Sequence, residues 1–243
     1  MELKKDFTAA IVIIGNEILS GRTVDKNTSF IANWLNEKGI SVEEVRVIPD
    51  KEQVIIDTVN VLRKKFAYVL TTGGIGPTHD DITSESISKA FNQKYQYHPV
   101  AYKMLEEFYK DQDFNDGRKK MAKMPEHAEL IPNPKTFAAG FYVENVFVLP
   151  GVPSILQVML PYLDKIIKSG QKILSISIDS KLRESTLAED LSSIQKKYLE
   201  VDIGSYPYFK EKPGTVLVLR SIKKDTLEIC EKEVRALVKK LSD

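Results

Sequence analysis

One segment of the chain, residues 71–81 (TTGGIGPTHDD), joins a glycine-rich loop to two adjacent carboxylates. Three glycines within four positions let backbone N–H groups approach an anion closely, as in phosphate-binding loops. Carboxylates beside a bound phosphate would repel it unless a divalent cation lay between them. The segment therefore indicates a phosphate-bearing ligand held together with a metal ion. The alternative is a structural turn in which Asp80 caps the next helix.

Three smaller clusters are candidates for the same site. The first is residues 15–21 (GNEILSG), which are followed by Asp25 and Asn27. The second is residues 150–154 (PGVPS), a rigid turn that can present backbone N–H groups. The third is Asp50, which comes after an apolar stretch and a proline. Capping a helix is the alternative role for each of these Asp and Asn side chains.

The elements that must position these residues are three apolar runs, at 9–14, 67–70 and 146–149, each ending directly before one of the loops. Continuous apolar runs rich in β-branched residues favour strands buried on both faces of a parallel sheet. Between them, the spacing predicts a strand at 42–48 and helices at 27–38, 52–65 and 82–91. Ligands of open α/β sheets bind at the carboxyl ends of the strands, where these loops would meet. Residues 1–168 are therefore predicted to form a doubly wound, mostly parallel α/β domain.

Two further regions complete the predicted organisation. A long helical segment at about 99–124 is expected as an insertion before the third apolar run. Beyond Gly170 the pattern predicts strands at 172–178, 201–206 and 215–221, helices at 184–198 and 226–241, and a turn at Pro213-Gly214. This order predicts a small βαββα module, an α+β domain over 171–243.

Composition narrows the class of partner. The 243 residues include 35 basic and 34 acidic side chains, a net charge of +1, which gives no electrostatic footprint for nucleic acid or an anionic membrane. The single cysteine, Cys230, excludes internal disulfides and favours a reducing compartment. The apolar run at 9–14 is too short to span a membrane. The sequence thus predicts a cytoplasmic protein with a small-molecule ligand, and no nucleic-acid or membrane partner.

Together these motifs resemble the molybdopterin-binding domain superfamily, and within it the CinA-like (competence/damage-inducible) branch. The resemblance rests on 15–21, on TTGGIGPTHDDIT at 71–83, on IPNP at 131–134 leading to Gly140, and on PGVP at 150–153, and it covers about residues 7–168. The tail, with GSYP at 204–207, is similar to the small domain that follows this module in CinA-like proteins and in eukaryotic FAD synthases. Since neither an amidase nor an adenylyltransferase domain is expected, the chain resembles a short form.

The resemblance implies a nucleotide pyrophosphatase that cleaves FAD or ADP-ribose with a divalent metal ion, Co²⁺ or Mg²⁺, with K⁺ as a further candidate ion. The functional aspartates of related molybdenum cofactor enzymes align with Asp50 and Asp81, the expected catalytic metal ligands, and Asp80 and Glu17 are expected to assist them. The expected ligand contacts are Gly15, Asp25, Asn27, Thr72, Gly73, Gly74, Gly76, Pro77, Thr78, Lys120, Gly140, Pro150, Gly151, Pro153 and Ser154. Relatives also imply a homo-oligomer, a dimer or a trimer.

Two other functions stay open at this point. One is molybdopterin binding or adenylyl transfer to molybdopterin in the same pocket, and the other is a non-catalytic ligand-binding module. The chain also departs from the CinA-like pattern. Residues 118–121 read RKKM where Asn-Arg-Lys-Gln is usual, Ile155-Leu156 replaces a Glu-Met pair, and Ala139 replaces a proline. These departures bear on the substrate more than on the fold.

Overall fold

The computed structural model describes residues 7–209 and 213–242, which divide into two compact units, one ending at Gly170 and the other beginning at Gln171. The strands of the first unit are β1 (Thr8–Ile14), β2 (Ser41–Ile48), β3 (Tyr68–Thr72), β4 (Tyr95–Tyr97), β5 (Lys123–Pro125), β6 (Glu129–Ile131), β7 (Gly140–Val143) and β8 (Val146–Leu149). Its helices are α1 (Asn16–Leu19), α2 (Asn27–Glu37), α3 (Glu52–Lys65), α4 (Thr83–Ala90), α5 (Pro99–Phe108), α6 (Asp116–Lys120) and α7 (Pro153–Met159), followed by a 3-10 helix at Leu160–Lys165.

The main sheet has six strands in the order β2-β1-β3-β8-β7-β6, and its first four are parallel. The register pairs Ile14 with Ile48, Ile13 with Thr72, and Thr72 with Leu149, so these four strands end at the same edge. Strands β7 and β6 are antiparallel additions, and their connection, residues 132–139, lies at that edge too. The prediction of a mostly parallel α/β sheet is confirmed.

Helices cover both faces of this sheet, which explains the unbroken apolar character of β1. Ala10, Val12 and Ile14 join one core cluster with residues of α3 and α4. Ala9, Ile11 and Ile13 join a second cluster with residues of α2 and α7. A strand buried on both faces gains from apolar side chains at every position, so alternation disappears from its sequence.

The insertion differs from the prediction of one long helical segment at 99–124. It contains two short helices, α5 and α6, and then β5, which pairs antiparallel with β4. Helix α5 ends at Phe108, and a new helix begins at Asp116 because Asn115 accepts a hydrogen bond from the N–H of Arg118 at 3.1 Å as the N-cap of α6. Strands β6 and β7 were also missed from the sequence.

The second unit comprises β9 (Leu174–Asp179), α8 (Glu184–Lys197), β10 (Asp202–Phe209), β11 (Pro213–Ser221) and α9 (Lys224–Ser242). Its antiparallel sheet has the order β10-β11-β9, with a core of its own that includes Leu187, Leu217 and Val234. The predicted turn at Pro213-Gly214 is wrong, since both residues begin β11, and residues 210–212 lie outside the described part of the chain. Within the described ranges, no helix is long and apolar enough to cross a membrane.

Candidate functional site at the carboxyl edge of the sheet

The glycine loop after β3 is pressed against the edge of the sheet. Gly73 and Gly74 have φ of 105° and 69°, conformations that non-glycine residues seldom adopt. A Cβ on Gly73 would collide with the carbonyl oxygen of Ile14, and one on Gly74 with the Thr83 hydroxyl. The loop is anchored where Gly73 N–H donates to Leu149 O (3.1 Å) and Thr83 N–H donates to Gly74 O (2.9 Å). Glycine is therefore required at both positions by the fold itself.

Beyond this anchor the loop carries three successive donors without acceptors. The backbone N–H groups of Gly74, Ile75 and Gly76 make no hydrogen bond to any described residue, and all three residues are only partly exposed. Backbone N–H groups that escape both helix and sheet pairing are the donors from which anion sites are built. This part of the loop can accept a phosphate without breaking an existing bond.

Asp81 lies directly beside these donors. Its Oδ2 accepts a hydrogen bond from the N–H of Thr78 at 2.9 Å and another from the Thr78 hydroxyl. A Cβ built on Gly76 would lie 2.7 Å from the same oxygen, so the carboxylate occupies space that only a glycine leaves free. Asp80 is fully exposed, and its pKa is lowered chiefly by the Thr78 side chain, with the charges of His79 and Lys120 contributing less.

Asp50 and Glu17 lie on either side of the turn after β1. Oδ2 of Asp50 accepts a hydrogen bond from the N–H of Asn16 at 2.8 Å, and Gly15 N–H donates to Ile48 O at 3.1 Å. The Glu17 carboxylate folds back over Gly15, where its oxygens fill the space that a Cβ would occupy. Asp50 thus positions the first turn of α1, 34 residues away in sequence.

Two predicted ligand contacts instead connect the loops to one another. Asn27 is 6% exposed, and its Nδ2 donates to Thr72 Oγ1 (2.9 Å) and to Gly151 O (2.8 Å). The Thr72 hydroxyl in turn donates to Pro150 O at 3.0 Å. Asp25 caps α2, accepting from the N–H of Asn27 at 2.8 Å. These residues fix the spacing between the loops after β3 and β8.

The other residues predicted to contact the ligand also lie at this edge of the sheet, where each makes a different contact within the protein. Gly140 begins β7 opposite Ile131, and its missing Cβ makes room for Val148 O and Met159. Lys120, on α6, donates to the carbonyl of Thr78, and Pro77 lies beside the same helix. Pro153 begins α7. Ser154, in its first turn, accepts through its backbone carbonyl from Lys135 Nζ at 2.8 Å.

Sequence reasoning missed Lys135 and Asn133. Asn133, only 3% exposed, donates to Thr136 Oγ1 (2.6 Å) and Ala138 O (2.9 Å), and its Oδ1 accepts from two backbone N–H groups. The Asn-Pro pair at 133–134 is a turn signal that could have marked this loop. Nothing in the sequence marks Lys135, whose partner is a backbone carbonyl 19 positions away.

The described residues contain no group of three or more His, Cys, Asp or Glu side chains that could hold a metal ion. Asp50 follows β2 and Asp81 follows β3, with β1 between them, so their strands are about 10 Å apart. Each carboxylate still offers its Oδ1, which makes no hydrogen bond to a described residue. An ion such as Mg²⁺ is commonly bound by one or two carboxylates together with the phosphates of a ligand, and each of these carboxylates has one oxygen that could contribute to such a site.

Comparison with known proteins places this architecture in a family. Residues 10–168 match the family model described as "Probable molybdopterin binding domain", and residues 172–242 match "FAD synthase, middle domain". A protein of Archaeoglobus fulgidus is 33% identical over 208 residues, 86% of this chain and 87% of that one. A protein of Pyrococcus abyssi is 34% identical over 218 residues, 82% of this chain and 84% of that one.

A solved structure agrees with these matches. The protein CinA with unknown function from Thermoplasma acidophilum superimposes with a TM-score of 0.64 at 34% identity, covering 68% of this chain and 99% of that one. The resemblance read from the sequence is therefore confirmed. Through residues 10–168 the chain belongs to the molybdopterin-binding domain family, in a CinA-like form whose C-terminal unit matches the middle domain of FAD synthase.

Proposed function

We propose that the carboxyl edge of the main sheet binds the phosphates of a dinucleotide such as FAD or ADP-ribose and hydrolyses its pyrophosphate bond with the help of a divalent metal ion. The observation that carries this proposal is the run of three unpaired N–H donors at 74–76 beside the carboxylate of Asp81. Donors alone would suit any anion. A carboxylate among them favours a ligand that brings a cation with its phosphates.

The reaction adds water to one phosphorus of the pyrophosphate and breaks its bond to the bridging oxygen. FAD would give FMN and AMP, and ADP-ribose would give ribose 5-phosphate and AMP, in each case with release of the proton of the attacking water. The loop N–H groups and the Lys120 ammonium would stabilise the charge that grows on the phosphoryl oxygens. Glu17, an exposed carboxylate, would accept the proton or orient the water.

Asp81, with Asp50, would hold Co²⁺ or Mg²⁺ through the oxygens left free in the structure. When bound there with the ligand's phosphates, the ion would neutralise their charge and lower the pKa of a coordinated water. Asp50 also accepts the N–H of Asn16, so replacing Asp50 would destabilise the start of α1 as well as remove a proposed metal ligand.

The match of residues 172–242 to the middle domain of FAD synthase favours a flavin dinucleotide among the candidate substrates. A second candidate function rests on the family description itself, which names molybdopterin. Molybdopterin also carries a phosphate, on a side arm of its pterin, and the same donors would hold it. In that case the protein would bind or adenylylate the pterin rather than hydrolyse a dinucleotide.

The test uses the full chain, purified and incubated with FAD, ADP-ribose, NAD and coenzyme A. Each is assayed with Mg²⁺, Mn²⁺ or Co²⁺, with and without K⁺, and AMP release is measured. The proposal predicts metal-dependent AMP release from FAD or ADP-ribose that EDTA abolishes. If the protein binds a molybdopterin phosphate and releases no AMP from any dinucleotide, the second candidate function is supported instead. If it binds nucleotides without hydrolysing them, it is a non-catalytic ligand-binding module.

A further inference from the structure

Two phenylalanine rings lie side by side on the surface of the first unit. Phe108 at the end of α5 is 38% exposed, and Phe137 in the loop between β6 and β7 is 39% exposed. Their ring centroids are 5.0 Å apart, with the planes inclined by 31°. Such a pair leaves apolar ring faces in contact with water, and covering them with a flat ligand would be favourable.

The loop that presents Phe137 is firmly built. The buried Asn133 side chain bonds to it from within, and Phe137 N–H donates to Asn133 O at 3.1 Å. Phe137 has a φ of 58°, a left-handed conformation that costs a non-glycine residue free energy. The protein thus holds a bulky side chain in an unfavourable backbone conformation and still leaves its ring exposed. A residue selected only for packing would be expected to bury that ring.

One series of contacts connects the pair to the glycine loop through α7. A Cβ on Gly151 would lie 3.4 Å from Cα of Gly73, so the loops after β3 and β8 touch. Three residues further on, the carbonyl of Ser154 accepts from Lys135 Nζ, and Lys135 is two residues from Phe137. The loop that contains Phe137 therefore belongs to the same edge of the sheet as the phosphate donors.

A second series reaches the pair through the insertion. The Lys120 ammonium bonds to the carbonyl of Thr78, next to the glycine loop. On the same short helix, Arg118 lies over the ring of Tyr109, with 4.2 Å between its guanidinium carbon and the ring centroid. The Tyr109 ring is 4.9 Å from that of Phe108. Both series begin at the glycine loop and end at the phenylalanine pair, and we call the surface between them the basin.

The charges around this basin suit a phosphorylated ligand. Lys120 and Lys135 both bond to backbone carbonyls, and neither forms a salt bridge with a carboxylate in the described part of the chain. Their positive charges therefore remain available to phosphate. This basin combines the phosphate donors and Lys120 at one end with the phenylalanine pair and Lys135 at the other.

We infer that Phe108 and Phe137 form the stacking surface for the planar heteroaromatic ring of the ligand whose phosphates bind the glycine loop. This inference rests on the proposed function for the identity of the phosphate site. The ring would be a nucleobase, a flavin or a pterin, which share a flat π face, and it would lie against Phe137 with Phe108 beneath its edge. Phe137 then determines specificity for ring-bearing phosphates over simple ones.

Binding measurements on the full chain separate the ring from the phosphate. Isothermal titration calorimetry compares FMN and AMP, which carry rings, with ribose 5-phosphate and inorganic pyrophosphate, which do not. Phe137→Leu keeps the apolar bulk and Phe137→Tyr keeps the π face. Both variants must adopt the same left-handed backbone conformation as Phe137. Phe108→Leu repeats the comparison at a helical position. Tyr162→Leu, at a 42% exposed ring outside the basin, is the matched control.

Since stacking on an aromatic side chain is commonly worth a tenfold change in affinity or more, Phe137→Leu should weaken FMN or AMP binding by about tenfold. Phe137→Tyr should stay within about twofold of the wild type, and ribose 5-phosphate and pyrophosphate should bind all variants alike. Three results would overturn the inference: unchanged FMN and AMP affinity in Phe137→Leu, an equal loss for ribose 5-phosphate, or no binding of either ring-bearing probe by the wild type.

The AMP release assay tests the proposed pyrophosphatase activity independently of the stacking surface. If the wild type releases no AMP from any dinucleotide but loses FMN affinity in Phe137→Leu, the stacking surface stands and the pyrophosphatase activity is rejected. If the wild type hydrolyses FAD and Phe137→Leu leaves both kcat and KM unchanged, the activity stands and the stacking surface is rejected.

Discussion

Replacing Asp81 by asparagine separates the charge of the carboxylate from its structural role. In the structure, one oxygen of Asp81 accepts the N–H and the hydroxyl of Thr78, and an amide oxygen can accept both bonds. Hydrogen bonds to a charged acceptor are worth about 1 kcal/mol more than those to a neutral one. Since two such bonds are weakened, Asp81→Asn should lower the free energy of unfolding by about 2 kcal/mol or less.

The effect on turnover should be much larger. An asparagine cannot supply the negative charge that a divalent ion needs beside a pyrophosphate. Losing that ion from the transition state should cost about 4 kcal/mol, or roughly a thousandfold in rate. AMP release from FAD is measured over a range of Mg²⁺ or Co²⁺ concentrations, and urea unfolding is measured on the same preparation.

The neighbouring Asp80 gives the matched control. It is fully exposed, and Asp80→Asn changes the net charge of the loop by the same amount. Turnover within about tenfold of the wild type is expected for this variant, because an exposed carboxylate contributes little through screened charge alone. If Asp81→Asn retains near wild-type turnover at saturating metal, Asp81 is not the essential ligand. A loss of 3 kcal/mol or more in stability would show instead that its charge serves the fold.

Three further predictions probe the surroundings of the site. Gly76→Ala should reduce AMP release and lower the free energy of unfolding by about 2 kcal/mol, measured by urea unfolding, because the new Cβ would lie 2.7 Å from the Asp81 carboxylate and displace it from its bonds with Thr78. Asn27→Ala should lower the free energy of unfolding by about 2–3 kcal/mol, measured by urea unfolding, because it removes both bonds of a buried amide and leaves Thr72 and a carbonyl without that donor. Burial lowers the pKa of His98 below its ordinary value of 6.5, so protonation favours the unfolded chain. The free energy of unfolding, measured with urea, should fall as the pH drops below 6.5 and level off once His98 is protonated in the folded protein as well. His98→Asn keeps a helix-capping acceptor and should remove this pH dependence.

The centre of the main sheet could be predicted because β1, β3 and β8 are buried on both faces. The apolar run at 9–14 corresponds to β1, and the runs at 67–70 and 146–149 to β3 and β8. Parallel pairing then brings their following loops to one edge without further information. The same reasoning fails for β6 and β7, which are only three and four residues long. They are held by antiparallel pairing, β7 with β8 and β6 with β7, rather than by a sequence pattern of their own.

The contacts within the site could not be predicted, because they join residues far apart in sequence. The sequence predicts Asp50 as a cap of the helix that follows it or as a site residue, whereas its carboxylate accepts from the N–H of Asn16, 34 residues earlier. The sequence predicts Asn27 as a helix cap or a ligand contact, whereas its amide connects the end of β3 to the loop after β8. A short polar side chain has the same appearance in sequence whichever of these roles it fills, since only the packed fold decides which groups lie within 3 Å of it.

The order of the strands gives the proposed ligand a direction. Carboxylates follow β2 and β1, at Asp50 and Glu17, while the cation Lys135 lies in the loop between β6 and β7 at the opposite side of the sheet edge. The glycine loop follows β3, between these flanks. A pyrophosphate over that loop would thus have the acidic flank of Asp50 and Glu17 on one side and the Phe137 ring on the other. A dinucleotide bound in this way would place the bond to be broken over the glycine loop and one of its aromatic rings against Phe137, because the pyrophosphate lies at the centre of such a molecule.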